Sequence, residues 1–269
     1  MSENKPRNSY RGRLAPTPSG YLHEGHILTF RIAWERAKGG AFVFRMDDLD
    51  PDRCTREYAE ACINDVKGMG VIWNEGVEYG GSFGPYLQSA REEFYLEALY
   101  SLLKLNMIYP CFRTRKEIRS AGLVSRQENE YLYPDNWSPR KNNEGLKDFP
   151  GSKNWRFRTK SGDKITFHDK NKDLVEYSVG SELSDFIVWR KDGIASYELA
   201  TVVDDYRMHI TEVVRGEDLL VSSARQCMLY DALGWKRPDF YHCELLTDNK
   251  GNKLSKSSRN LPRLFPRSE

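Results

Sequence analysis

A chain of 269 residues is long enough for one large core with a smaller module set into it. Charged side chains make up 30% of it, mean hydropathy is -0.69, and no apolar run approaches the roughly 18 residues of a membrane span, so a membrane-spanning helix is not expected. The net charge of +2 permits a nucleic-acid partner without arguing for one.

The basic start, MSENKPRNSYRGR, lacks the apolar stretch of a secretory signal, and the cytoplasm is the expected compartment. Arg11 to Ala15 reads as a short strand entering the turn-rich PTPSG. "HILTFRIAWERAK", from His26 to Lys38, carries apolar residues at helical spacing and stops at Gly39-Gly40. "AFVFRMDD" predicts a buried strand ending in acids. "TREYAEACINDVKGMG" predicts a helix with Thr55 as N-cap and Gly68 or Gly70 as its stop. This order implies a parallel sheet covered by helices. "SAREEFYLEALYSLLKLN" predicts a further helix and "MIYPCF" a strand, whereas residues 125–153, rich in Asn, Pro and Gly, read as an irregular insertion or loop.

"WRFRTK", "KITFHD" and "LVEYSV" read together as a small antiparallel sheet. "DFIVWRKDGIASYELATVVDDY" returns to strand, turn and helix, with Lys191-Asp192-Gly193 as the turn. "ITEVVRGED", "SSARQCMLYDALG" and "DFYHCELL" then predict strand, helix and strand. The expected fold class is α/β: a doubly wound, Rossmann-type parallel sheet interrupted by an inserted α+β module. Five scattered cysteines, with no CxxC or CxC pair, suggest neither a disulfide framework nor a zinc site, and Cys54 and Cys62 fall in the helix predicted around Thr55.

Two stretches carry chemistry. In "APTPSGYLHEGH", a glycine between His23 and His26 lets backbone approach a ligand, and the helix that follows presents N–H groups suited to phosphate. In "KLSKSS", Lys253 and Lys256 sit three apart among small hydroxyl residues after the turn "TDNKGN", a pattern suited to triphosphate oxygens. Each alone has a plainer reading, a capped helix start and a lysine-rich surface loop.

Together they resemble the paired HxGH and KxSKS signatures of class I aminoacyl-tRNA synthetases. "RLAPTPSG", "FVFRMDDLDPDR", "GPYLQSAR", "YELATVVDD" and "EVVRGEDLL" narrow the resemblance to the glutamyl-tRNA synthetase group. Only "RNLPRLFPRSE" follows Ser258, which resembles the short glutamyl-queuosine tRNA(Asp) synthetases, with no anticodon-binding domain expected. The resemblance implies a first catalytic half at 1–110, an inserted acceptor-binding-like module at 111–180, and a second catalytic half at 181–269 carrying the KLSKS loop. It implies ATP with Mg2+ as cofactors, and glutamate and a queuosine-containing tRNA(Asp) as partners, with a monomer expected. His23, His26, Lys253 and Lys256 would be catalytic, and Pro16, Gly25, His26, Lys253, Leu254, Ser255 and Lys256 would bind ATP. Arg13, Thr17, Asp47, Tyr197, Thr201 and Arg215 would bind glutamate, with Tyr197, Thr201 and Asp204 on one helix face as a hydroxyl-lined wall.

Three positions depart from the family pattern. Asp47 stands where a glutamate usually grips the substrate ammonium, and Glu24 places an acid inside the HxGH stretch. Cys111 is followed by Arg113 where a second thiolate would be expected; His168 and Tyr131 or Tyr133 do not complete a tetrahedral set, so no zinc is expected. Rival readings are a ligase charging an ordinary tRNA 3′ end or another carrier, and a non-catalytic relative.

Overall fold

The computed structural model describes residues 10–126, 130–139 and 149–244. Lys253, Leu254, Ser255 and Lys256 lie outside them. β1 (Arg11–Leu14) pairs in parallel with β2 (Ala41–Phe44), and β2 with the two-residue edge strand β3 (Glu75–Gly76). The crossovers are α1 (Glu24–Arg36) and α2 (Arg56–Gly68). As expected, the Thr55 hydroxyl caps α2 by accepting from the Tyr58 N–H. Cys54 precedes this cap and so lies outside the helix expected to contain it, while Cys62 is buried within it.

β9 (Glu212–Gly216) and β10 (Asp239–Cys243) form the second parallel pair, linked by α6 (Leu220–Leu233). Gly234 ends α6 in the left-handed conformation at φ 68°, which glycine adopts without a Cβ clash. The halves meet where the Thr211 N–H donates to Arg11 O at 2.9 Å and the Arg13 guanidinium to Val214 O at 2.9 Å. From β3 through β1 to β9 and β10 the arrangement is doubly wound, and its direction of winding reverses between β1 and β9.

One expectation is corrected: "WRFRTK", "KITFHD" and "LVEYSV" do not form one antiparallel sheet. β6 (Lys164–Asp169) and β7 (Asp173–Ser178) form a hairpin that extends the main sheet through a parallel bridge from Asp169 to Phe240. β5 (Asn154–Phe157) instead lies between β4 (Ile108–Cys111) and β8 (Phe186–Trp189) in a separate antiparallel sheet. The difference is physical. β6 alternates buried and exposed residues, as a sheet with one wet face does, whereas Trp155, Arg156 and Phe157 are all buried. The β4–β5–β8 sheet thus takes strands from both sides of residue 180.

α3 (Glu92–Lys104) and α5 (Tyr197–Arg207) close over that sheet. Trp155, Trp189, Leu99, Leu102 and Val203 fill the core between them, and each such side chain contributes about 1.5–3 kcal/mol on burial. A second core lies between β1–β2 and α1–α2, with Phe44 edge-on to Trp73. A short helix, α4 (Arg115–Ala121), starts in a reciprocal Thr114–Glu117 capping box. Among the described residues no helix is long and apolar enough to cross a membrane.

At the start of β9, away from its carboxyl end, Glu212 fastens the fold. It is buried and accepts from Arg36 of α1 at 2.6 Å, from Lys170 at 2.6 Å and from Tyr10 OH at 2.8 Å. Although burial opposes the charge, these donors hold its carboxyl at about 2, below the ordinary 4.5. A depressed carboxyl stabilises the fold fully above about pH 4.5, and the contribution is lost as pH falls towards 2. Glu212→Gln should therefore cost about 2 kcal/mol at pH 7, discounted for the part-exposed cations. Denaturant titrations at several pH values should show the variant's deficit shrinking between pH 5 and 2.

Candidate active site

The crevice at the carboxyl ends of β1 and β9 is framed by the PTPSG bend. Pro16 and Pro18 lack N–H groups, and their carbonyls pin the bend by accepting from the backbone N–H of Asp47 at 2.9 Å and of Thr55 at 3.3 Å. The bend delivers the chain to α1, whose N-cap is His23. His23 Nδ1 accepts from the Gly25 N–H at 3.2 Å, and His26 Nδ1 accepts from the His23 N–H at 3.2 Å. This is a capping box built from two imidazoles, their ring centroids 3.8 Å apart. A ring nitrogen that accepts from an amide carries no proton, so the neutral form of each ring carries its hydrogen on Nε2.

Gly25 has a local reason for being glycine. A Cβ there would lie 3.1 Å from His23 Cε1 and crowd the ring out of its cap position. Glu24 is exposed in the first turn of α1, where its charge complements the helix dipole.

From the end of β2, Arg45 enters the interior fully buried. Its Nε donates to Asp47 Oδ1 at 2.7 Å and its NH1 to Asp205 Oδ1 at 2.7 Å, while Asp204 Oδ2 lies 3.5 Å away. Arg13 Nε stands 3.6 Å from Asp205 Oδ2. Arg91 donates to Asp204 at 2.6 Å, and Gln88 and Tyr95 OH add bonds of 2.8 and 3.0 Å. Three guanidiniums thus face three carboxylates, all buried. Burial pushes the Asp47 carboxyl up to about 6; Arg45 pulls it down, and Asp204 and Asp205 push it further up.

A cavity of about 400 Å³ opens beside this network. Of the residues expected to bind glutamate, Thr17, Asp47 and Tyr197 border it. Arg13, Thr201 and Arg215 are buried and do not line it. Arg215 nevertheless reaches the lining, for its NH1 donates to Tyr197 OH at 3.4 Å while its NH2 donates to Ser223 and Gln226, each at 2.7 Å. The wall expected from Tyr197, Thr201 and Asp204 is not formed: Asp204 is consumed by Arg91, Gln88 and Tyr95, and helix α5 is buried on all sides from Leu199 to Asp205.

The far rim of the cavity comes from the antiparallel sheet and its flanks, with Arg115, Tyr131, Tyr133, Arg156 and Asp185. Cys111 lies there beneath Arg156, whose Nε donates to Sγ at 3.2 Å, and beside Tyr133 OH at 3.6 Å. Arg113 turns instead to the face of Trp137, and His168 is exposed on β6 in the other sheet. Among the described residues no three His, Cys, Asp or Glu side chains come together as a metal-holding group.

Sequence reading missed Arg45, Gln88 and Arg91. An arginine inside an otherwise apolar strand and followed by two acids, as in "FVFRMDD", was the available signal for Arg45. Gln88 and Arg91 lie in the stretch "GPYLQSAR", but nothing within it reveals their shared partner, Asp204, more than a hundred residues away.

Residues 9–264 match the family model described as tRNA synthetases class I (E and Q), catalytic domain. Glutamyl-Q tRNA(Asp) synthetase from Nitratidesulfovibrio vulgaris is 38% identical over 93% of this chain and 79% of its own length. Glutamate–tRNA ligase from Listeria welshimeri is 34% identical over 95% of this chain, which spans 52% of that ligase. The crystal structure of glutamate-tRNA synthetase from Elizabethkingia anophelis superposes with a TM-score of 0.79 at 29% identity, covering 92% of this chain and 52% of that one. The chain therefore belongs to the class I tRNA synthetases of the glutamate and glutamine group, matching their catalytic domain across nearly its whole length.

Proposed function

We propose that the protein activates glutamate with ATP as glutamyl-adenylate, releasing pyrophosphate, and passes the glutamyl group to a hydroxyl of queuosine in tRNA(Asp), releasing AMP. The observation that carries the reading is the constellation around the cavity: Asp47 and Tyr197 both line it, and Arg215 lies behind Tyr197. A carboxylate, a hydroxyl and a guanidinium are the groups that an amino-acid substrate needs for its ammonium and carboxylates. The acceptor is inferred from the relatives named for glutamyl-Q tRNA(Asp) synthesis.

In this reading a glutamate carboxylate oxygen attacks the α-phosphorus of ATP, forming a new O–P bond as the bond to pyrophosphate breaks. Mg2+ bound to the ATP phosphates would offset their charge. Catalysis is positioning and charge stabilisation, and no side-chain nucleophile is required. His23 and His26, with hydrogen on Nε2, donate to phosphate oxygens, while Pro16 and Gly25 keep the bend close to the nucleotide. Lys253 and Lys256, with Leu254 and Ser255 between them, are assigned to the nucleotide and its leaving group by resemblance alone. Thr17 borders the glutamate site with Asp47 and Tyr197, Arg215 reaches it through Tyr197, and Arg13 and Thr201, buried behind the lining, are assigned to it by resemblance alone.

ATP–pyrophosphate exchange with each amino acid tests the activation step: glutamate should support exchange without tRNA, and exchange with no amino acid sinks the reading. Labelled glutamate should then transfer to queuosine-containing tRNA(Asp) and not to its unmodified form. Equal transfer to both would point to the ordinary 3′ end instead. His26→Ala should slow exchange by about 10²-fold or more, since it removes a donor to developing charge. Glutamate binding should also weaken on acidification, because Asp47 pairs with an ammonium only when ionised and its carboxyl titrates at about 6. The KM for glutamate should rise as pH drops through 6, whereas Asp47→Asn should show a high KM that is flat from pH 5 to 7.5.

A further inference from the structure

Arg215 is the end of a longer chain of buried groups. Ser223 Oγ, which accepts from Arg215 NH2 at 2.7 Å, lies 2.6 Å from His242 Nε2. His242 Nδ1 lies 2.6 Å from Asp169 Oδ2. Ser223 comes from α6, His242 from β10 and Asp169 from the end of β6, and each is 0% exposed. Asp169 also accepts from the backbone N–H of Asn171 and Lys172 at 2.9 Å each, and from that of His242 at 3.1 Å. Surrounded by donors, it is an acceptor only.

The protons then have one order. His242 donates Nδ1–H to Asp169, and burial together with the Arg215 charge holds the ring neutral, its pKa lowered to about 4. Nε2 therefore accepts from the Ser223 hydroxyl. Leu219 O lies 2.9 Å from the same hydroxyl but competes for a single proton at the longer distance. From Asp169 to Arg215 NH2 each donor of the relay meets an acceptor, while Arg215 Nε is buried without a partner.

Serine, histidine and aspartate in this order also build hydrolytic triads. Here the hydroxyl has no route to a substrate: neither Ser223 nor His242 lines the cavity, and the serine oxygen is engaged by a guanidinium. A second feature decides its role. Among the described residues no carboxylate lies within ion-pair distance of Arg215, although the side chain is buried. A direct carboxylate partner would neutralise the charge that a substrate carboxylate needs. A relay of neutral dipoles ending on a distant carboxylate orients and stabilises the guanidinium while leaving its charge available.

We propose that Asp169, His242 and Ser223 are positioning residues that hold Arg215 in register with Tyr197 for the amino-acid carboxylate. The proposal rests on the glutamate-activation reading above. Its test is ATP–pyrophosphate exchange by the full chain as wild type, Ser223→Ala, His242→Asn and the double variant. Asparagine keeps a donor for Asp169 but does not reach Ser223. Each single change should raise the glutamate KM about tenfold, the effect of one hydrogen bond to a charged group, with the ATP KM within about twofold of wild type. The double variant should be no worse than the poorer single, because both act through one hydroxyl. Thermal melting checks that each variant is folded; if His242→Asn does not fold, the KM split of Ser223→Ala decides alone. Wild type without glutamate-dependent exchange overturns the reading and the relay together. An active wild type overturns the relay alone if the variants shift both KM values alike, shift neither, or combine additively. Covalent labelling of Ser223 in the folded wild type by a fluorophosphonate also overturns it, in favour of a nucleophile.

Discussion

Arg45 is the interaction on which the crevice depends. A guanidinium at 0% exposure has lost its hydration and persists only because carboxylates from two elements surround it: Asp47 beyond its own strand, Asp204 and Asp205 from α5. Those acids in turn need Arg13 and Arg91, so the six charges stand or fall as a set. Net stabilisation is a poor account of such a cluster, because apolar side chains of similar volume would pack there at no desolvation cost. What the cluster supplies is geometry. It locks the carboxyl end of β2 to the buried side of α5, and it presents one of its acids, Asp47, to the cavity.

The fold divides its labour along the strand direction. At the amino end of β9, Glu212 gathers Arg36, Lys170 and Tyr10 into a clamp between α1, the hairpin and the strand. At the carboxyl end of the same strand, Arg215 has no acidic partner among the described residues and is held by hydroxyl and amide groups. One strand of five residues thus carries a neutralised charge at one end and an available charge at the other. This polarity is what a doubly wound sheet offers: stability can be concentrated away from the reversal point, leaving the crevice free to hold groups chosen for a ligand.

Much of the fold was legible because its signals are local. The Thr55 cap, the Gly70 stop at φ 71°, and the Lys191-Asp192-Gly193 turn with Gly193 at φ 85° each depend on a few adjacent residues, and the strand–helix alternation gives a parallel sheet directly. The misassigned β5 shows where this ends. Its sequence alternates like a one-sided strand, yet Arg156 is buried because Asp185 O accepts from it at 2.7 Å and Tyr133 lies under its guanidinium. The charged interior was hidden for the same reason. Arg45 and Asp205 are 160 residues apart, and His242 and Asp169 are 73 apart. No short window contains both members of such a pair, and a charged residue in isolation reads as surface.

The substitution of aspartate at position 47 gains a physical context from the cluster. Both Asp47 oxygens face Arg45, at 2.7 Å from Nε and 3.3 Å from NH2, and its backbone N–H is fixed to Pro16 O. A carboxylate one methylene shorter than glutamate, held in that way, has little freedom to extend towards a ligand. Each oxygen keeps a second lone pair, however, so an ammonium can be met through those directions or through a bridging water. Burial is the main cause that raises the Asp47 carboxyl to about 6, and Asp204 and Asp205 add to it in smaller measure. Length and proton affinity at this position are thus coupled. A longer side chain that reached into the open cavity would shed part of that burial and stand further from the neighbouring acids, and would therefore hold its charge to lower pH.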